Sequence, residues 1–153
     1  MKNLKLYLLT ILLTIGSMGI SQGEFNNWLF GNQAWLNFST TTPPTATAGS
    51  AMTATEGCSS ISDRAGNLLF YTDGSSVYDR AHNRMVGGNN TLRGNSSSTT
   101  SSIVVPRPGS QFQYYIITAD VALGSDGIRF SVVDMDLPTI NNRIGTTEMG
   151  EVT

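Results

Sequence analysis

The chain has 153 residues, a formal net charge of −2 and only 13% charged residues, about half the usual share of a soluble domain. Its pI of about 5.2 and lack of a basic run beyond the first residues argue against a nucleic-acid binder. A single cysteine excludes an internal disulfide scaffold, and the absence of Ala/Glu/Lys/Leu-rich periodic segments disfavours helical bundles.

The first element is an export signal. Lys2 and Lys5 form a positive n-region, Leu6–Ile15 is the apolar core, and Gly19 and Ser21 supply small residues before a cleavage site at Ser21–Gln22. The apolar run is short for a spanning helix, which needs about 20 residues. Residues 1–21 are therefore expected to be a signal peptide and 22–153 the mature domain, with no membrane span. No cysteine follows the apolar core, so a lipoprotein anchor is not expected there.

After the peptide, strand signals recur and helix signals do not. Trp28–Phe30 and Ala34–Phe38 are short apolar runs around Gly31-Asn32. Thr40–Ala54 reads as a Thr/Pro/Ala-rich loop in which Pro43-Pro44 breaks any ladder. Cys58–Ser62 and Leu68–Thr72 read as strands joined by Asp63-Arg64-Ala65-Gly66-Asn67, where Asp caps the backbone and Gly or Asn takes positive φ. Val77-Tyr78 and Arg84–Val86 flank a similar turn, Asp79–Asn83. The two turns start 16 residues apart, which suits one end of an antiparallel meander. Gly87–Ser98 is a polar loop, and the Ser/Thr-rich stretch behind it is expected to be ordered, because Ile103-Val104-Val105 follows at once. Phe112–Thr118 is the strongest strand. In Ile128–Met135, Ile128, Phe130 and Val132 alternate with Arg129, Ser131 and Val133. Short strands between frequent turn signals predict an all-β sandwich, barrel or propeller.

A set of short motifs then carries a family resemblance. They are Asn26-Asn27-Trp28-Leu29-Phe30-Gly31, Glu56-Gly57-Cys58, and Ser62-Asp63 followed by Gly66–Gly74. Val77-Tyr78-Asp79-Arg80, Ser101–Pro106 with Pro108-Gly109, Tyr114-Tyr115-Ile116 and Arg129–Met135 complete the set. In this order, from about Asn26 to Thr153, the chain resembles the N-terminal region of large secreted surface proteins of the Bacteroidota. Those proteins carry a β-propeller-like head, then PKD or Ig-like repeats, and end in a type B sorting domain for type IX secretion, often labelled a gliding motility-associated C-terminal domain. Leu29 stands where that pattern often has an aromatic, and Tyr78-Asp79 where Trp-Asn or Trp-Asp is common.

The resemblance implies antiparallel meander blades. A WD-type blade takes about 40–45 residues and closure at least about four blades, so 22–153 is expected to be the first two to three blades of an incomplete β-propeller. The expected function is a non-enzymatic module for binding or adhesion at the outer cell surface. Its partners would be an extracellular protein or glycan and the missing C-terminal blades of the same chain. The alternative is a secreted carbohydrate-active propeller.

No catalytic, cofactor or metal residue is assigned. His82, the only histidine, sits in a turn, and one His with one Cys cannot complete a zinc site. Asp120, Asp126, Asp134 and Asp136 offer oxygens for calcium but read as turn caps. Glu56, Asp63, Asp73 and Asp79, with Arg64, Arg80, Arg84 and Arg93, could supply a glycosidase-like acid pair and arginine cluster, but they too fall at turns. Trp28, Trp35, Tyr71, Tyr78, Tyr114 and Tyr115 could stack on sugars, but most lie within strand runs and are expected in the core. Cys58 is expected to be a small buried apolar residue.

Overall fold

A computed structural model describes residues 23–39, 43–85, 87, 92–122, 124–136, 143–144 and 150–151. The proposed signal peptide, Val86 and Leu137-Pro138 lie outside the described residues. The fold is all-β and antiparallel, preceded by one short 3₁₀ turn, Gly23–Phe25. The first sheet is a meander of β1 (Asn27–Phe30), β2 (Asn32–Asn37) and β3 (Thr45–Thr53). The second is β4 (Ser59–Ser62), β5 (Leu68–Thr72) and β6 (Val77–Asp79), extended by a bridge from Tyr78 to Arg84. The third is β7 (Ser102–Pro106), β8 (Gln113–Ala119) and β9 (Ile128–Asp134), with β10 (Arg143–Ile144) and β11 (Gly150–Glu151) both paired to β9.

β3 corrects the loop reading of Thr40–Ala54. Thr45–Thr53 pairs with β2 from Asn37↔Thr45 to Asn32↔Thr53, with a register shift between Asn32 and Ala34. The prolines lie just ahead of the ladder instead of inside it. Most of β3 is solvent-exposed and its residues are Thr, Ala, Gly and Ser. Its pairing is therefore carried by backbone hydrogen bonds, and no apolar alternation marks it in the sequence.

The second sheet is the middle layer. Every residue of β5 and β6 is buried, so both faces of Leu68–Thr72 meet protein. On one face, Phe70 and Val77 join Ile61, Met85, Ile116 and Val133 in a core shared with the third sheet. On the other, Tyr71 and Tyr78 join Leu29 and Met52 in a core shared with the first sheet. Such burial on both faces explains why Leu68–Thr72 is a near-continuous apolar run instead of an alternating one.

The sheets approach one another through their first strands: β1 lies against β4, and β4 against β7. Ser59 Oγ donates to the Ser102 carbonyl at 2.5 Å, near the starts of β4 and β7. Asp63 and Arg64, beyond the end of β4, line one cleft with Pro106 at the end of β7, so β4 and β7 run in the same direction. β1 runs the opposite way, because Asn27 at its start reaches Ser62 at the end of β4 and Gly31 beyond its end reaches the Cys58 thiol.

The two outer sheet faces are apolar. On the third sheet the cross-strand rows Ile103–Ile117–Phe130 and Val105–Tyr115–Val132 point outward, while Ser131 and Val133 point into the core. On the first, Trp28 and Phe30 pair with Leu36 and Ala34, and these with Ala46 and Ala48. The set on the first sheet carries no charge, and the charges on the third sheet are confined to one end, where the Arg107 guanidinium lies over the Tyr115 ring at 5.7 Å and Asp134 accepts from the Gln113 amide. Trp28 is 52% exposed, Ile103 49% and Ile128 51%.

Candidate functional site

Two five-residue turns, at the same end of the middle sheet, are built alike. In the first, Asp63 N–H donates to the Asn67 carbonyl at 2.8 Å, Gly66 N–H to the Asp63 carbonyl at 2.9 Å, and Asn67 N–H to Asp63 Oδ1 at 2.9 Å. In the second, the same three bonds join Asp79, His82 and Asn83 at 2.8, 3.0 and 2.9 Å. Gly66 has φ +88° and His82 φ +65°, so His82 occupies the left-handed position that glycine fills in the first turn. The strain is held by its ring. Ala51 N–H donates to the Tyr71 hydroxyl at 2.9 Å, the same hydroxyl is hydrogen-bonded to His82 Nδ1 at 3.0 Å, and Trp35 packs edge-on at 5.5 Å. His82 is thus a structural turn residue.

The carboxylates singled out in the sequence do the same kind of work. Asp73 Oδ1 accepts from the N–H groups of Ser75 and Ser76, and Asp79 Oδ1 from those of Ala81 and Asn83. Glu56 accepts from the Thr99 hydroxyl. Asp120 accepts from Val121 and Asp126 N–H, and Asp134 from Asp136 N–H and the Gln113 amide. The bonds to backbone N–H groups are Asx-type turn caps, as the turn chemistry predicts, whereas Glu56 and the Gln113–Asp134 pair make long-range side-chain contacts. Among the described residues no group of three His, Cys, Asp or Glu converges on a metal position. Of the aromatics, Tyr71 and Tyr78 are buried and stacked at 5.1 Å. Trp28 lies outside the core, exposed against Phe38 at 5.0 Å. Cys58 is free and half-buried, and burial is the chief cause that raises its thiol pKa. A thiol held protonated is a weak nucleophile.

Asp63 gives a pH prediction. Slight burial pushes its pKa up, but hydrogen bonds from the Asn67 side chain and the Asn67, Ala65 and Gly66 backbone outweigh that and lower it. A carboxyl depressed in the folded state contributes stability above its unfolded pKa and loses it as pH falls through the folded value. Unfolding midpoints measured from pH 6 to pH 2 should fall on acidification below about pH 4, and less so in Asp63→Asn. Equal pH slopes in the two proteins would refute the assignment.

Two surface clefts among the described residues bring polar and aromatic side chains together. One, of about 370 Å³, is lined by Trp35, Asn37, Asn67 and Arg80 around Asn27. Asn27 at its centre is committed: its Oδ1 accepts from Trp35 Nε1 and Asn37 Nδ2, and its amide donates to Ser62 and Gly66. The other, of about 380 Å³, is where connections of all three sheets meet. Glu24 comes from the 3₁₀ turn, Asp63 and Arg64 from the β4–β5 turn, and Phe112 and Tyr114 from the β7–β8 hairpin. Glu24 was not singled out in the sequence. A lone acid beside Gly23 has no motif, and only the packing of the 3₁₀ turn against β4 brings it to this cleft. No family model, curated protein or solved structure matches the chain.

Proposed function

We propose that this chain is the N-terminal, non-enzymatic module of a secreted or cell-surface protein, an arc of a β-propeller that serves binding or adhesion. The observation that carries the reading is the pair of largely apolar, exposed faces at the two ends of the three-sheet stack. Large apolar faces on one molecule mark surfaces to be covered, and inside this molecule such faces are covered by another meander sheet. The close approach of first strands supports a radial fan. A meander of four strands returns the chain to its starting direction, which fits the parallel β4 and β7 with Arg84-Met85 as the fourth rung. The first sheet, with three strands and a reversed β1, suits a blade completed by a strand from elsewhere in the polypeptide. Further sheets of the same protein would cover the two faces.

Residues 22–153 alone should bind a hydrophobic dye and self-associate, and the pair Trp28→Lys and Ile128→Lys should render the segment monomeric. A monomeric, sharply melting unmodified segment that binds no dye would overturn the arc reading. Export is tested separately: mass spectrometry of the secreted protein should find an N-terminus near Gln22, and an intact Met1 would refute it.

A further inference from the structure

The cleft around Asn27 is lined, among the described residues, by no carboxylate, and its charged side chain is Arg80. Arg80 is exposed and has neither an ion pair nor a hydrogen bond among those residues. The acids next to the lining in sequence are engaged in their own turns: Asp63 accepts from the Asn67 backbone and side chain, and Asp79 from Ala81 and Asn83 N–H. The neutral groups of the lining supply further donors. An asparagine amide nitrogen carries two N–H groups. Asn37 spends one on Asn27 Oδ1 and Asn67 one on Asp63 Oδ2, so each keeps another. The Trp35 ring is pinned, with Nε1 donating to Asn27 Oδ1 at 2.9 Å and the ring packed edge-on against His82. Leu68 is buried and offers little to an aliphatic ligand. The volume of about 370 Å³ is at the small end of ligand sites, the scale of one sugar ring. The cleft opens between the first and middle sheets, at the end that carries the two Asp turns, so further sheets laid on the outer faces would leave it open.

We propose that this cleft binds a uronate residue of an extracellular acidic polysaccharide. The Arg80 guanidinium pairs with the sugar carboxylate, whose two oxygens match its fork of N–H donors. The Asn37 and Asn67 amides meet the ring hydroxyls, which both donate and accept. The Trp35 ring flanks the C–H face of the sugar. A phosphate or a bare carboxylate would use Arg80 and leave the amides and the indole idle. A neutral sugar would use the amides and the indole and gain nothing from the guanidinium. An acidic sugar uses all of them.

This inference rests on the proposed binding role and gives it a ligand class, but its readout is separate from export and self-association. The mature chain, or its Trp28→Lys/Ile128→Lys form, is titrated by NMR with methyl galacturonoside, methyl glucuronoside, the neutral methyl galactoside, acetate and inorganic phosphate. The chain has two tryptophans, hence two indole N–H signals, and the form without Trp28 assigns them. At least one uronate should saturate with a shift of the Trp35 signal, while the Trp28 signal, from an outer face, stays in place. Methyl galactoside, acetate and phosphate should each bind about tenfold more weakly or worse. Arg80→Ala should weaken the uronate about tenfold or more, the loss expected for charge-assisted hydrogen bonds. Arg80→Lys, which keeps the charge without the fork, should weaken it about threefold. Arg93→Ala removes an exposed guanidinium outside the cleft and should change nothing. Added salt should weaken binding. Thermal melts of each variant confirm folding. Equal binding of methyl galactoside, acetate or phosphate, unchanged binding in Arg80→Ala, an equal loss in Arg93→Ala, or no saturable shift with either uronate would each overturn the proposal. A monomeric mature chain that binds a uronate through Arg80 would overturn the arc reading and uphold this one.

Discussion

Phe70→Ala should lower the stability of the domain by about 3–5 kcal/mol, the cost of truncating a buried phenylalanine where the surroundings relax only partly. Phe70 is fully buried at the centre of the middle sheet, in the core that joins it to the third. Its neighbours come from β4, β6, β8 and β9, so collapse around the cavity would have to move two sheets at once. Equilibrium urea unfolding checks this, through a lower midpoint at unchanged slope. The next residue separates packing from hydrogen bonding. Tyr71→Phe keeps the ring stacked on Tyr78 but removes the hydroxyl that accepts from Ala51 N–H. It should cost about 1–3 kcal/mol, the penalty for a donor left without a partner. A Phe70→Ala loss under 1 kcal/mol would mean that the two sheets are not packed as described.

Gly57→Ala should be nearly as damaging, at about 3 kcal/mol, the upper end of overpacking costs. Gly57 sits where the loop into β4 crosses the loop into β7. Its N–H donates to the Ser98 carbonyl at 3.0 Å and its carbonyl accepts from the buried Ser101 hydroxyl at 2.6 Å. A Cβ there would fall within 3 Å of the Ser98 carbonyl and closer still to the Ser101 N–H, both backbone atoms that cannot swing aside. The loss should appear as a lower denaturation midpoint and as faster amide exchange in β7, whose first residue follows Ser101 directly. Ser101→Ala, which removes one hydrogen bond without adding bulk, should cost about 1 kcal/mol. An unchanged midpoint in Gly57→Ala would show that the two loops are further apart.

The local elements of this protein were legible because their signals are local. Asp63-x-x-Gly66-Asn67 and Asp79-x-x-His82-Asn83 carry their turn chemistry within five residues, and the turns form the same three hydrogen bonds. The hairpin of Ser59–Ser62 with Leu68–Thr72 follows from that turn and from the apolar, aromatic run behind it. β3 was not legible, because an exposed Thr/Ala strand is held by its partner's backbone and leaves no pattern of its own. In β9 the alternation defined two faces, but not which one turns inward. Ser131 and Val133 are buried and Ile128 is exposed, since the smaller, mixed face fits against the middle sheet. The turn-bound roles of Asp73, Asp79 and Asp120 could be read from sequence, as each bonds within six residues. The cleft around Glu24 could not, because Glu24, Asp63 and Phe112 lie in three separate connections, far apart in the chain. The all-β character, the position of most strands and the turns between them follow from neighbours a few residues apart. Which sheet is central, which faces stay uncovered and which charged groups meet depend instead on how separate meanders pack, and no local pattern encodes that packing.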